Sequence, residues 1–170
     1  MMSLRIAGVV GESITDGPGY RYTVFVQGCH RHCEGCHNPS TWDPAGGREA
    51  DVAAMLSEIR GNPLLRGVTI SGGEPFEQAG ALLEFARSIK ELGLELALYS
   101  GSVFEELAAD TTSDRYALLS LADVLVDGEF IMARRNLGLR FMGSENQCVI
   151  DVPASLREGR AVESRDERWI

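Results

Sequence analysis

Cys29, Cys33 and Cys36 lie within eight residues, and their Cys-x3-Cys-x2-Cys spacing offers a metal three thiolates from one loop while withholding a fourth. A structural zinc site closes its tetrahedron with a fourth protein ligand, and His30, His32 and His37 are near enough in sequence to supply one. A 4Fe-4S cluster held by three cysteines instead leaves one iron open for a substrate or cofactor. The two readings differ in what else the chain must contain, because an open iron needs further residues to hold whatever binds it.

Ser71-Gly72-Gly73-Glu74-Pro75, directly after the strand-like Gly67-Val68-Thr69-Ile70, is the first candidate. Paired glycines at a strand end let a ligand approach the backbone, since no Cβ intervenes, and Glu74 adds an acceptor suited to an ammonium group. S-adenosylmethionine carries such a group, and its amino and carboxylate functions can chelate an open iron. Alone, Gly-Gly-Glu-Pro is also ordinary turn chemistry. A zinc or iron-sulfur interaction module, the non-enzyme alternative, would leave residues 72–74 without a task. The specificity lies in the pair: a cysteine loop and then a glycine loop, each after a β-rich segment.

On these residues the chain resembles the radical S-adenosylmethionine superfamily. The cysteine loop is embedded in a longer string, from Asp16-Gly-Pro-Gly-Tyr-Arg21 to Asn38-Pro-Ser-Thr-Trp42-Asp43, which resembles the glycyl-radical-enzyme activases. The short chain, Val124-Leu-Val-Asp127-Gly-Glu-Phe130 and Gly143-Ser-Glu-Asn146-Gln147 are similar to the activases that serve anaerobic ribonucleoside-triphosphate reductase. The resemblance implies an open partial β/α barrel, with Cys29, Cys33 and Cys36 holding a 4Fe-4S cluster. It also implies S-adenosylmethionine contacts from Gly35, Cys36 and His37 on the adenine side. Gly72, Gly73 and Glu74 would take the methionine amino group, with Ser100 and Asp127 at neighbouring strand ends.

The implied activity is cleavage of S-adenosylmethionine to methionine and a 5′-deoxyadenosyl radical, which takes a Cα hydrogen from a glycine of the partner enzyme. That partner is anaerobic ribonucleoside-triphosphate reductase, with another glycyl radical enzyme such as pyruvate formate-lyase as the alternative. The electron comes from a low-potential donor such as flavodoxin. One departure stands out: formate-lyase activases carry Lys two residues after the Asp, whereas this chain has Glu129, and a carboxylate cannot donate as an ammonium can. Arg21, Asn146 and Gln147 read equally as caps of turns or as neighbours of the cofactor or partner.

Composition sets the frame. A length of 170 residues suits one domain over residues 1–170, and no stretch approaches the roughly 20 apolar residues that span a bilayer. The first residues are apolar but interrupted by Arg5 and Glu12, which predicts a strand in place of a secretion signal and hence a cytoplasmic protein without a membrane partner. A net charge of -9 with scattered cations argues against nucleic acid. Cys148, in the apolar Gln147-Cys-Val-Ile150, reads as a small core residue.

The elements that must position these residues follow from periodicity. Apolar spacing predicts helices over residues 49–60, 78–92, 104–109 and 116–121, with strands at 68–71, 94–99 and 124–126. Alternating strands and helices imply βα units and a parallel sheet with right-handed crossovers. About five or six strands are too few to close as an eight-stranded barrel does. The loops after Gln27, Ile70, Tyr99 and Val126 would then converge at the carboxyl ends of the strands. The tail from about residue 153, rich in Arg and Glu, reads either as wrapping the barrel or as mobile.

Overall fold

The computed structural model describes residues 2–170. Seven strands form one sheet: β1 (Arg5–Ser13), β2 (Tyr20–Val26), β3 (Arg48–Glu49), β4 (Leu65–Gly72), β5 (Glu95–Tyr99), β6 (Val124–Asp127) and β7 (Cys148–Asp151), in the order β3-β1-β2-β4-β5-β6-β7. The sheet is open, with β3 and β7 at its two edges. Five helices accompany it: α1 (Val52–Gly61), α2 (Ala79–Glu91), α3 (Phe104–Ala108), α4 (Asp114–Leu121) and α5 (Val152–Glu158). This is the open α/β arrangement expected.

The strands separated by helices pair in parallel as expected, and antiparallel strands flank them. β2, β4, β5 and β6 are parallel, in registers such as Val24↔Ile70 and Ile70↔Leu98. The other pairings are antiparallel: β1 with β2, β3 with β1, and β7 with β6. A short connection accounts for the first of these, because only a crossover of a dozen or more residues can return a strand in parallel, and β1 reaches β2 through residues 14–19.

Side-chain alternation divides the sheet's two faces. Tyr22, Val24, Val68, Ile70, Leu96, Leu98 and Leu125 pack under the helices, against Ile59 of α1, Phe85 of α2 and Leu118 of α4. The opposite face carries Arg21, Thr23, Thr69, Ala97, Val124 and Val126, all buried. Its cover is the C-terminal Trp169, with Phe141 and Met142 packed beside it.

One boundary shift and one unforeseen helix have local reasons. α1 starts at Val52, because the Asp51 side chain accepts the Ala54 N–H (2.9 Å) and caps the helix there, while Glu49 pairs with β1 as part of β3. α5 is absent from the periodicity reading although its signals are present. Asp151 accepts the Ala154 N–H (2.9 Å), Pro153 occupies the first turn, and Gly159 ends the helix at φ 69°. Beyond it the tail wraps. The Asp151 N–H donates to Val162 O (2.9 Å) and the Ser164 N–H to Val149 O (2.8 Å), so the segment shields the outer edge of β7 before Trp169 enters the sheet face.

Candidate functional site

Cys29, Cys33 and Cys36 follow the carboxyl end of β2 as free, half-buried thiols. Backbone bonds fix the loop at its root: the Gly28 N–H donates to Thr41 O (2.7 Å) and the Cys29 N–H to Trp42 O (3.1 Å). Gln27 adds side-chain bonds to Ser40 O (3.0 Å) and Asp43 O (2.7 Å). Gly35 turns the chain at φ 73°, where a Cβ would meet the Met132 sulfur at 2.6 Å. His32 also sits at positive φ (48°), its ring stacked on Trp42 with centroids 4.5 Å apart.

The histidines that a zinc site would require face elsewhere. His30 pairs with Glu77, His32 stacks on Trp42, and His37 leans on Phe130 at 5.2 Å. Among the described residues no three His, Cys, Asp or Glu side chains are gathered as metal ligands, the three cysteines included.

The thiols lie in acidic surroundings. Burial pushes the Cys33 thiol up to about 11, helped by Glu129, whose carboxylate accepts the thiol proton (3.4 Å). Burial likewise raises Cys29, with Glu74 and Glu77 adding to it. Metal binding must therefore displace these protons.

The glycine loop is bonded to the cluster strand through the backbone. The Gly73 N–H donates to Val26 O and the Glu74 N–H to Gly28 O, both at 2.8 Å. At Gly72 (φ 96°) a Cβ would come within 2.6 Å of the Val26 nitrogen, and at Gly73 it would overlap the Gly28 carbonyl oxygen. The paired glycines thus serve the approach of two backbones, beyond any approach of a ligand.

Glu74 is 2% exposed and hydrogen-bonded within the protein. Its carboxylate accepts from the Phe76 N–H (3.1 Å), the Ser100 hydroxyl (2.9 Å) and the Gly101 N–H (2.9 Å), with Arg31 Nε at 3.8 Å. Burial pushes its carboxyl upward, against the pull of these donors. Glu74 thereby joins the glycine loop to the loop after β5.

Asp127 ends β6, where it is buried and accepts the Phe104 N–H (2.8 Å) at the start of α3. Its carboxyl is pushed up to about 6, mainly by burial. Arg21 lies fully buried far below the strand ends, bonded to Thr69 Oγ1 (2.8 Å) and Glu95 (2.8 Å) under Trp169. Asn146 and Gln147 donate to Glu129 O (2.7 Å) and Gly128 O (2.9 Å), so of their two readings the structure shows the capping one.

Arg31, which the sequence did not single out, occupies the centre of the strand-end face. Its guanidinium donates to Ser102 Oγ (2.7 Å) and lies 3.9 Å from Glu129 and 4.0 Å from Glu106. Its Nε is buried without an acceptor. The only sequence signal was a cation between two cluster cysteines.

The residues present fit the group that a three-cysteine loop implies. Three free thiols suit a cluster with one open iron, and the Arg31 Nε, buried without a hydrogen-bond acceptor, suits a carboxylate beside the glycine loop.

Comparisons with known proteins find relatives of the chain. The family described as 4Fe-4S single cluster domain matches residues 15–150. The anaerobic ribonucleoside-triphosphate reductase-activating protein of Vibrio cholerae is 36% identical over 146 residues, covering 80% of this chain and 90% of that one. The pyruvate formate-lyase-activating enzyme of Clostridium pasteurianum is 33% identical over 162 residues, covering 82% and 67%. Among solved structures, QueE from Escherichia coli superposes with a TM-score of 0.47 at 21% identity, over 60% of this chain and 54% of that one.

Fold, cysteine loop and relatives together define a radical S-adenosylmethionine enzyme of the glycyl-radical-activating class, which carries a 4Fe-4S cluster and uses S-adenosylmethionine. Its partner is a glycyl radical enzyme. The chain belongs to the 4Fe-4S single cluster domain family and, within it, to the anaerobic ribonucleoside-triphosphate reductase-activating proteins. No helix of the described residues is long and apolar enough to cross a membrane.

Proposed function

We propose that residues 1–170 act as one domain that installs the glycyl radical of an anaerobic ribonucleoside-triphosphate reductase. The observation that carries this reading is the backbone bonding of a three-thiol loop to a glycine loop at the carboxyl ends of parallel strands. When bound, the cluster and S-adenosylmethionine supply one-electron cleavage of the sulfonium and the hydrogen-abstracting radical. Cys29, Cys33 and Cys36 hold the cluster. Gly35, Cys36 and His37 border the adenine, with Phe130 backing the His37 ring at 5.2 Å.

Gly72 and Gly73 offer backbone to the methionine end. Glu74 and Ser100 keep that backbone and the Gly101 loop in place, and Asp127 does the same for α3. Arg31 supplies the cation for the cofactor's carboxylate that position 129 lacks, its neighbours Glu74, Glu106 and Glu129 being close but not hydrogen-bonded to it. A low-potential carrier such as flavodoxin delivers the electron, and the free thiols suit the reducing cytoplasm.

The pyruvate formate-lyase reading has one specific support, the 33% identity to the C. pasteurianum enzyme, but this chain covers 67% of that protein against 90% of the V. cholerae one. Anaerobic incubation of reconstituted, reduced protein with each candidate enzyme, followed by electron paramagnetic resonance, decides between them. The expected result is a glycyl radical on the reductase, lost in Cys29→Ala and kept in Cys148→Ala. A radical on formate-lyase alone would overturn the assignment.

A further inference from the structure

The segment after β6 leaves the sheet beside the cluster loop. Met132 sits against Gly35, and Phe130 against His37. Its backbone is held, with the Glu145 N–H donating to Arg134 O (2.9 Å) and the Asn136 N–H to Gly143 O (3.2 Å). Its side chains nevertheless point to solvent: Ile131 is 39% exposed, Met132 44% and Leu137 82%.

Charge sets this segment apart too. Arg134, Arg135 and Arg140 oppose the single acid Glu145 across residues 130–147, in a chain whose net charge is -9. Neither Arg134 nor Arg135 pairs with a carboxylate among the described residues. Arg140 donates to Glu167 O (3.2 Å) and Ile170 O (3.4 Å), with no acidic side chain as partner. With Phe141 it borders a hollow of about 410 Å³, completed by the exposed Ile14 and Tyr20. A stripe of apolar and guanidinium groups thus runs from the cluster loop along the loop after β6 to the opposite end of the sheet.

We propose that this stripe is the docking surface for the glycyl radical enzyme, and that it meets an acidic face of that enzyme bearing apolar side chains. This rests on the function proposed above. Apolar residues ringed by arginine are the composition of protein interfaces, and the unpaired guanidiniums call for carboxylates on the other side. An electron carrier is the weaker fit, because redox encounters are small and need to cover only the cluster's edge, whereas the stripe extends well beyond it. A partner bound along it has the cluster loop at its flank, where its glycine must come.

The test is the double variant Arg134→Glu/Arg135→Glu and, separately, Leu137→Ser, compared with the parent chain after reconstitution and reduction by dithionite. Radical formation on the reductase is read by paramagnetic resonance, its Kd by titration, and partner-free cleavage of S-adenosylmethionine by chromatography. The expected result is a Kd raised about tenfold or more in each variant, weaker salt dependence in the charge-reversed one, and unchanged partner-free cleavage. Wild-type affinity and radical yield in both variants would overturn the proposal. So would a defect seen only when a reduced carrier protein replaces dithionite, which would assign the stripe to the electron donor. If the parent chain itself installs no radical on the reductase, the functional reading fails and the docking proposal with it.

Discussion

Arg31 sets the character of the strand-end face, because Glu74, Glu106 and Glu129 all stand near it and its Nε has no acceptor of its own. A cofactor with a carboxylate would complete that arrangement, so Arg31→Ala should weaken S-adenosylmethionine binding by about 1.5 to 3 kcal/mol, roughly ten- to a hundredfold. Arg31→Lys should recover part of it, since the charge returns without the planar fork. Calorimetry on reconstituted protein of equal iron content checks both, and unchanged affinity in the Ala variant would remove Arg31 from the site. Glu74 makes a different prediction. In Glu74→Gln an amide NH2 must face the Phe76 or Gly101 N–H, which should cost about 1 to 3 kcal/mol of stability, measured by urea unfolding. Equal stability would mean that the internal bonds are dispensable.

Among the elements, β2 and β4 form the site's frame. Their parallel register, Val26↔Gly72, brings the ends of the two strands side by side. This much was legible in advance, since buried apolar runs mark parallel strands and ligand-bearing loops gather at their carboxyl ends. What Glu74, Asn146 and Gln147 hold was not legible, because their partners lie on other elements and no spacing along the chain encodes them. Asp127 is such a case: it reads as a site residue, and its side chain ties β6 to the start of α3. Burial raises its folded-state carboxyl to about 6 from an ordinary value near 4, so protonation favours the fold. Its contribution is fully present below about pH 4 and is lost as pH rises through about 6. Asp127→Asn keeps an acceptor for Phe104, so its stability relative to the parent should improve across that window and level off above it. Thermal melts from pH 4 to 8 check this, and a difference independent of pH would show that the carboxyl is not perturbed.

For the molecule as a whole, the C-terminal tail closes one face of the sheet. Trp169, wholly buried, lies over the Arg21 guanidinium at 5.3 Å, meets Phe141 edge-on at 5.3 Å, and donates to Glu95 (3.2 Å). Trp169→Ala should cost about 3 to 5 kcal/mol, lowering the urea midpoint, while a loss within error would mean the tail is a loose cover. The sequence left the tail open between wrapping and mobile because α5 is short and its neighbours are charged. The apolar anchor comes once, at the penultimate residue, and a single residue has no period to detect.

The stack of His32 on Trp42 gives the protein an optical handle. The two tryptophans report on opposite ends of the sheet: Trp169 is sealed against Arg21, and Trp42 belongs to the segment that anchors the cysteine loop. Any rearrangement of that loop as iron enters must move or restack His32 on the indole beside it. Emission from Trp42, isolated in a Trp169→Phe background, would then follow cluster assembly in real time, without partner or cofactor, and separate the filling of the site from the folding of the chain around it.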